Sequence, residues 1–168
     1  MVRSVRTADA ELRQLLRLVD EAFSAHAWHG PTLWASIRGL ESGRAAWRPA
    51  PNRHNIWELV VHAAYWKHVV RRRLTGRVGR RFPLRGTNWF ERPSGPRTWG
   101  DDVQLLAEEH EELRRVVAEL EPGALERRVH GKRDTTAYTI RGIAAHDLYH
   151  AGQIQLLKAL GSVRISGS

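Results

Sequence analysis

Apolar residues recur at helical spacing along most of the chain. After Thr98 they fall at Val103, Leu106, Leu113, Val117 and Leu120, with His110 in the same stripe. Thr98 and Asp101 read as an N-cap and its N3 acid, and Glu121-Pro122-Gly123 reads as the stop. A second stripe starts at Asn55, an N-cap with Glu58 as its N3 partner. It runs through Ile56, Leu59, His62, Ala63, Trp66, Val70 and Leu74 and ends at Gly76. A last helix is expected from about Thr136 to Leu160, with Gly161 as its C-terminal stop. Upstream, Ala8 to about Ala25 is helical by pattern, and "WHGPTLWASIRGL" restarts at Pro31, a residue suited to the first helical position. Whether these form one kinked helix or two is open.

No stretch reads as a strand. The connection from about Thr75 to Arg97 is rich in proline and glycine. It is longer than most connections in compact domains, which predicts a crossover rather than a hairpin. The pattern predicts an all-α fold of one domain spanning 1–168. Its core is a four-helix bundle over about 27–160, with 1–26 as an N-terminal helical extension.

Composition changes the picture in two places. The chain of 168 residues has no cysteine, which excludes disulfides, thiolate ligands and a cysteine nucleophile. No apolar run is long enough to cross a bilayer, and the charged start "MVRSVRTADAELRQLL" has no signal-peptide core, so a cytoplasmic protein is expected. The net charge of +9 is concentrated locally. Arg71, Arg72, Arg73, Arg77, Arg80, Arg81, Arg85, Arg92 and Arg97 stand against the single acid Glu91. With Trp89 and Phe90 this segment is a candidate nucleic-acid contact, against the plainer reading of a solvated connection. No recognised reader motif accompanies it.

The chemistry lies in the helical stripes. In "HDLYHAGQIQLLKAL", His146 and His150 sit four apart on the face that also carries Ile140, Ile143 and Leu157. His62 occupies a core position on the earlier helix. Buried imidazoles cost free energy unless their nitrogens are paired. A histidine pair at i and i+4 can ligate one ion, with a third ligand from a facing helix, leaving a position for solvent or substrate. The plainer alternative is core histidines bonded to their neighbours.

The strings "HDLYHAGQIQLL" and "IWELVVHAAYWK", with "AWHGPTL" and "IRGIAAHDLYHAGQI", resemble the DinB superfamily of DinB/YfiT-like metalloenzymes over about Ala27 to Leu160. The resemblance implies a four-helix bundle with one divalent ion held by His62, His146 and His150. Zinc, nickel, iron and manganese all suit imidazole. It also implies a homodimer and an activity that transfers a low-molecular-weight thiol to a small electrophile. The absence of cysteine fits a thiol that arrives as cosubstrate. A metal-dependent hydrolase, or a non-enzymatic metal-binding or nucleic-acid-associated protein, stands as the alternative.

Further candidates surround the triad. Gln153 and His29 are candidates to orient a ligand, and Trp28 to wall a pocket. Asp147 and Tyr149 flank the ligands, with a surface place expected for Asp147. Glu58 is a candidate base, although capping accounts for it. His110 is expected to be buried and paired. His54 and His130 read as surface, and His26 and His68 carry no signal.

Overall fold

The computed structural model describes residues 2–76 and 80–165, so Arg77 lies outside the described residues. The chain is all-helical. Its helices are α1 (Val2–Phe23), α2 (Leu33–Ile37), α3 (Ser42–Ala46), α4 (Ile56–Thr75), α5 (Trp99–Ala118) and α6 (Thr136–Ile165), with one 3-10 turn at Pro122–Ala124. Among the described residues no strand forms; Arg128 and Thr135 make one isolated bridge.

Local chemistry accounts for most boundaries. The Asn55 side chain accepts from the Glu58 amide at 2.8 Å, and Gly76 closes α4 at φ 64°, a left-handed conformation that glycine adopts without steric cost. At Thr98 both halves of a capping box are made with Asp101. Two expectations fail. Pro31 does not begin α2, because Thr32 is its N-cap and accepts from the Ala35 amide at 3.2 Å. Gly161 does not end α6, which runs on to Ile165. A β-carbon at 161 would lie 3.3 Å from the Trp47 ring, so the glycine serves close packing against α3's C-cap residue. The helical pattern from Ala8 to Ala25 and the restart after Gly30 are two separate helices, and α3 was not foreseen.

Cross-helix pairs fix the directions. Trp57 Nε1 donates to Asp102 Oδ2 at 2.7 Å, and His68 Nδ1 lies 3.1 Å from Glu109 Oε1, so α4 and α5 run parallel. Parallel neighbours need a crossover, and residues 76–98 provide it by returning along α4. α6 runs antiparallel to α4, since His62 meets His146 and His150 while Arg73 shares a cavity with Tyr138. α1 packs on α5 and α6, and its Phe23 and Asp20 meet His110 and Arg114.

The core has two apolar clusters. One joins Leu33, Ile37, Val60, Val61, Leu106 and Ile154; the other joins Leu15, Val19, Val70, Leu113, Ile140 and Ile143. Between them lies a layer of buried polar side chains. It contains His62, Lys67, His68, Glu109, His110, Asp147 and His150, with the half-buried His146. This layer positions the site.

Candidate metal centre

The middle of α4 and the middle of α6 face each other across the polar layer. His62 Nε2 and His150 Nε2 each lie 3.1 Å from His146 Nε2. The three imidazoles form a group whose ligand atoms all lie within 4.8 Å of one another. In a tetrahedral site with Zn–N of about 2.0–2.1 Å, ligand nitrogens stand about 3.3 Å apart, so the spacing suits a shared ion.

Hydrogen bonding on the far side of each ring sharpens this. His62 Nδ1 sits 2.8 Å from the Asn88 carbonyl oxygen, which can only accept, so Nδ1 carries the proton and Nε2 presents a lone pair. His150 Nδ1 sits 2.6 Å from Gln153 Oε1 and is fixed in the same tautomer. Two lone pairs therefore face His146 Nε2. One proton there can serve only one of them. His146 Nδ1 is buried with no hydrogen-bond partner. Protonation does not relieve the crowding near neutral pH. Burial, with the neighbouring His150, His62 and Lys67, pushes His146 down to about 3. Burial pushes His150 down to about 4 against the Gln153 hydrogen bond. Burial also lowers His62, opposed by its bond to Asn88. Three neutral, convergent imidazoles can hold a cation, and a cation is what their geometry lacks.

The crossover builds the other wall. Asn88 takes φ 66°, a left-handed conformation that asparagine tolerates better than most residues. Its carbonyl holds His62 while its side-chain oxygen accepts from Trp66 Nε1 at 2.9 Å. Trp89 then stacks on His62 at 3.9 Å and, on its other side, on His54 at 3.7 Å. Neither role was foreseen. The signal for Asn88 was its place in "RGTNWF", a turn-forming run within a long connection.

The remaining candidates separate. Gln153 reaches the cluster through His150. His29 and Trp28 are exposed in the α1–α2 connection and make no hydrogen bond or ring contact with the three histidines. Tyr149 is exposed and touches the His150 ring edge-on. Asp147 is not at the surface: it is buried against the equally buried Lys67. Glu58 points away from the triad. Its carboxylate takes Arg48 Nη1 at 2.9 Å, His54 at 2.8 Å and the Arg92 amide at 3.2 Å. Burial pushes that carboxyl up, but these bonds outweigh it and leave it below its ordinary value. Glu58 thus anchors the crossover, and His54, expected at the surface, bridges it to Trp89. His110 is buried and stacks on Phe23 at 3.6 Å, but its Nδ1 has no partner.

The arginine-rich segment is largely spent inside the protein. Arg71 pairs with Glu109 at 3.2 Å and Arg80 with Glu108 at 3.5 Å. Arg92 and Arg97 lie 2.8 Å and 2.6 Å from Asp102. Phe90 is buried in the core, and Trp89 is occupied by two imidazoles.

No helix among the described residues is long and apolar enough to cross a membrane. No curated protein and no solved structure matches the chain significantly. A family model described as the DinB superfamily matches residues 25–154, a span that contains all three histidines and the crossover, and the chain belongs to that superfamily.

Proposed function

We propose that His62, His146 and His150 hold one divalent cation and that the protein uses it to transfer a low-molecular-weight thiol to a small electrophile. The observation that carries the reading is the convergence of three Nε2 atoms whose outer nitrogens leave them without protons to share. Such a cation supplies positive charge that acidifies a thiol beside it. The chain has no cysteine, so the sulfur comes from a cosubstrate. Asn88 and Gln153 hold two of the imidazoles in the ligating tautomer, and Trp89 covers one face of His62. In the transfer, a sulfur–carbon bond forms, the leaving group departs with its electron pair, and the thiol proton passes to solvent.

The mutual packing of α1, α4, α5 and α6 supports a four-helix bundle as host. Tyr149, Leu156 and Leu160 are exposed along α6, which supports a homodimer. Sedimentation at micromolar concentration that shows only monomer contradicts the dimer. The activity is tested with several small thiols and chlorodinitrobenzene, comparing wild type with His62→Ala at matched folding. Turnover that depends on added metal and is lost in the variant is expected. Rates equal to background with every thiol, while metal is bound, contradict the transferase.

A further inference from the structure

A cavity of about 170 Å³ opens between α4 and α6 beside the histidine cluster. His146 and Trp66 line it at one end, and Arg73, Asp134 and Tyr138 at the other, with Gly142 between. The Arg73 guanidinium lies 5.6 Å from the Trp66 ring, whose centroid is 6.3 Å from that of His146. Among the described residues neither Arg73 nor Asp134 has an ion-pair partner, although most other buried or half-buried arginines in this region have one. A cation and an anion therefore line one cavity without neutralising each other. The distance from Arg73 to the histidines matches about two to three residues of extended chain at roughly 3.4 Å each.

We propose that this cavity is the subsite for a short, peptide-like, zwitterionic thiol. Its carboxylate pairs with Arg73, its ammonium pairs with Asp134, and its sulfur end is directed toward His146. Guanidinium and carboxylate match in a two-bond fork, and the Trp66 face holds the guanidinium flat for it. The aromatic rings of Trp66 and Tyr138 cover the chain between the charged end and the histidines. The assignment of the sulfur end rests on the thiol chemistry proposed above; the charged end stands on Arg73 and Asp134 alone. Gly142 gives a direct way to close the cavity. A β-carbon there meets nothing within 4 Å, so a larger side chain would project into open space without disturbing the helix packing.

The Trp66 indole N–H, held at 2.9 Å by Asn88, is a local reporter. Its peak in a nitrogen-15 proton correlation spectrum, assigned with Trp66→Phe, is followed while the protein as purified is titrated with S-methylglutathione. This probe keeps the zwitterionic end but has no free thiol. A saturable shift is expected in wild type. Affinity should fall at least tenfold in Arg73→Met and in Asp134→Asn, and binding should vanish in Gly142→Leu, with indole dispersion confirming that each variant is folded. No shift in wild type, or equal affinity in all three variants, overturns the subsite. Glutathione itself separates the two readings. Tighter binding than S-methylglutathione supports both. Equal affinity, with the Arg73 dependence intact, contradicts the thiol chemistry and leaves the zwitterion subsite standing.

Discussion

The polar layer that divides the two apolar clusters has two halves, and they satisfy buried histidines in opposite ways. In one half His68 bonds Glu109, which also takes Arg71, while Lys67 and Asp147 pair with each other. Every ionised group there has a countercharge within reach. In the other half His62, His146 and His150 turn the same nitrogen toward one point, and no acid meets them there. Burial of a histidine therefore says little about function. Convergence of ring nitrogens whose protons are committed elsewhere says much more.

If this distinction is right, the paired half governs stability and the convergent half governs metal. The largest stability effect is expected at Lys67. Lys67→Met leaves the Asp147 carboxylate in the core without its partner, which costs about 3–5 kcal/mol by urea unfolding. The double variant Lys67→Met with Asp147→Leu should recover most of that loss, because both charges leave together. A single variant as stable as wild type would break the comparison.

Gln153→Ala sharpens it from the other side. The side chain touches the layer only through His150 Nδ1. Its loss should reduce zinc affinity by about 10–100-fold while the midpoint of urea unfolding in metal-free protein hardly moves. A stability loss with unchanged zinc affinity, measured by competition with a chelator, would place Gln153 in the packing and not at the site.

The smallest effect concerns His110, which shares the layer but belongs to neither kind of pairing. Burial, with the nearby charges of Lys67 and Arg114, pushes it down to about 2. The folded state therefore takes up no proton there until strong acid, whereas the unfolded chain takes one up near 6.5. Stability from this group is complete above about pH 6.5 and falls as the pH drops from there toward 2, by about 1.4 kcal/mol at the first full unit. His110→Phe keeps a ring against Phe23 and removes the titration. Urea midpoints at pH 7 and pH 5.5 should differ less in the variant than in wild type; an equal difference would contradict the assignment.

Sequence made the helices readable because each one carries its own stripe and its own caps. The triad was readable for the same reason: His146 and His150 share a helical face, and His62 interrupts an apolar one. What stayed hidden depends on the crossover and on pairings between helices. Nothing local marks Lys67 as the partner of Asp147, or His68 as that of Glu109, since they meet only after α4 has packed on α6 and α5. Asn88 and Trp89 belong to a connection without periodicity, so their roles follow from where residues 76–98 lie against α4. The arginines of that connection suggested a solvated or nucleic-acid-facing loop because the carboxylates they meet, Glu108, Glu109 and Asp102, are on α5. Gly161 misled for a similar reason: its role is set by Trp47, far away in sequence.

The central claim is that the convergent histidines hold a metal. Elemental analysis of the protein purified without added metal, beside His146→Ala and His150→Ala prepared in the same way, tests it most directly. The account predicts one divalent ion per chain in wild type and almost none in either variant. Equal metal content in all three proteins would contradict it.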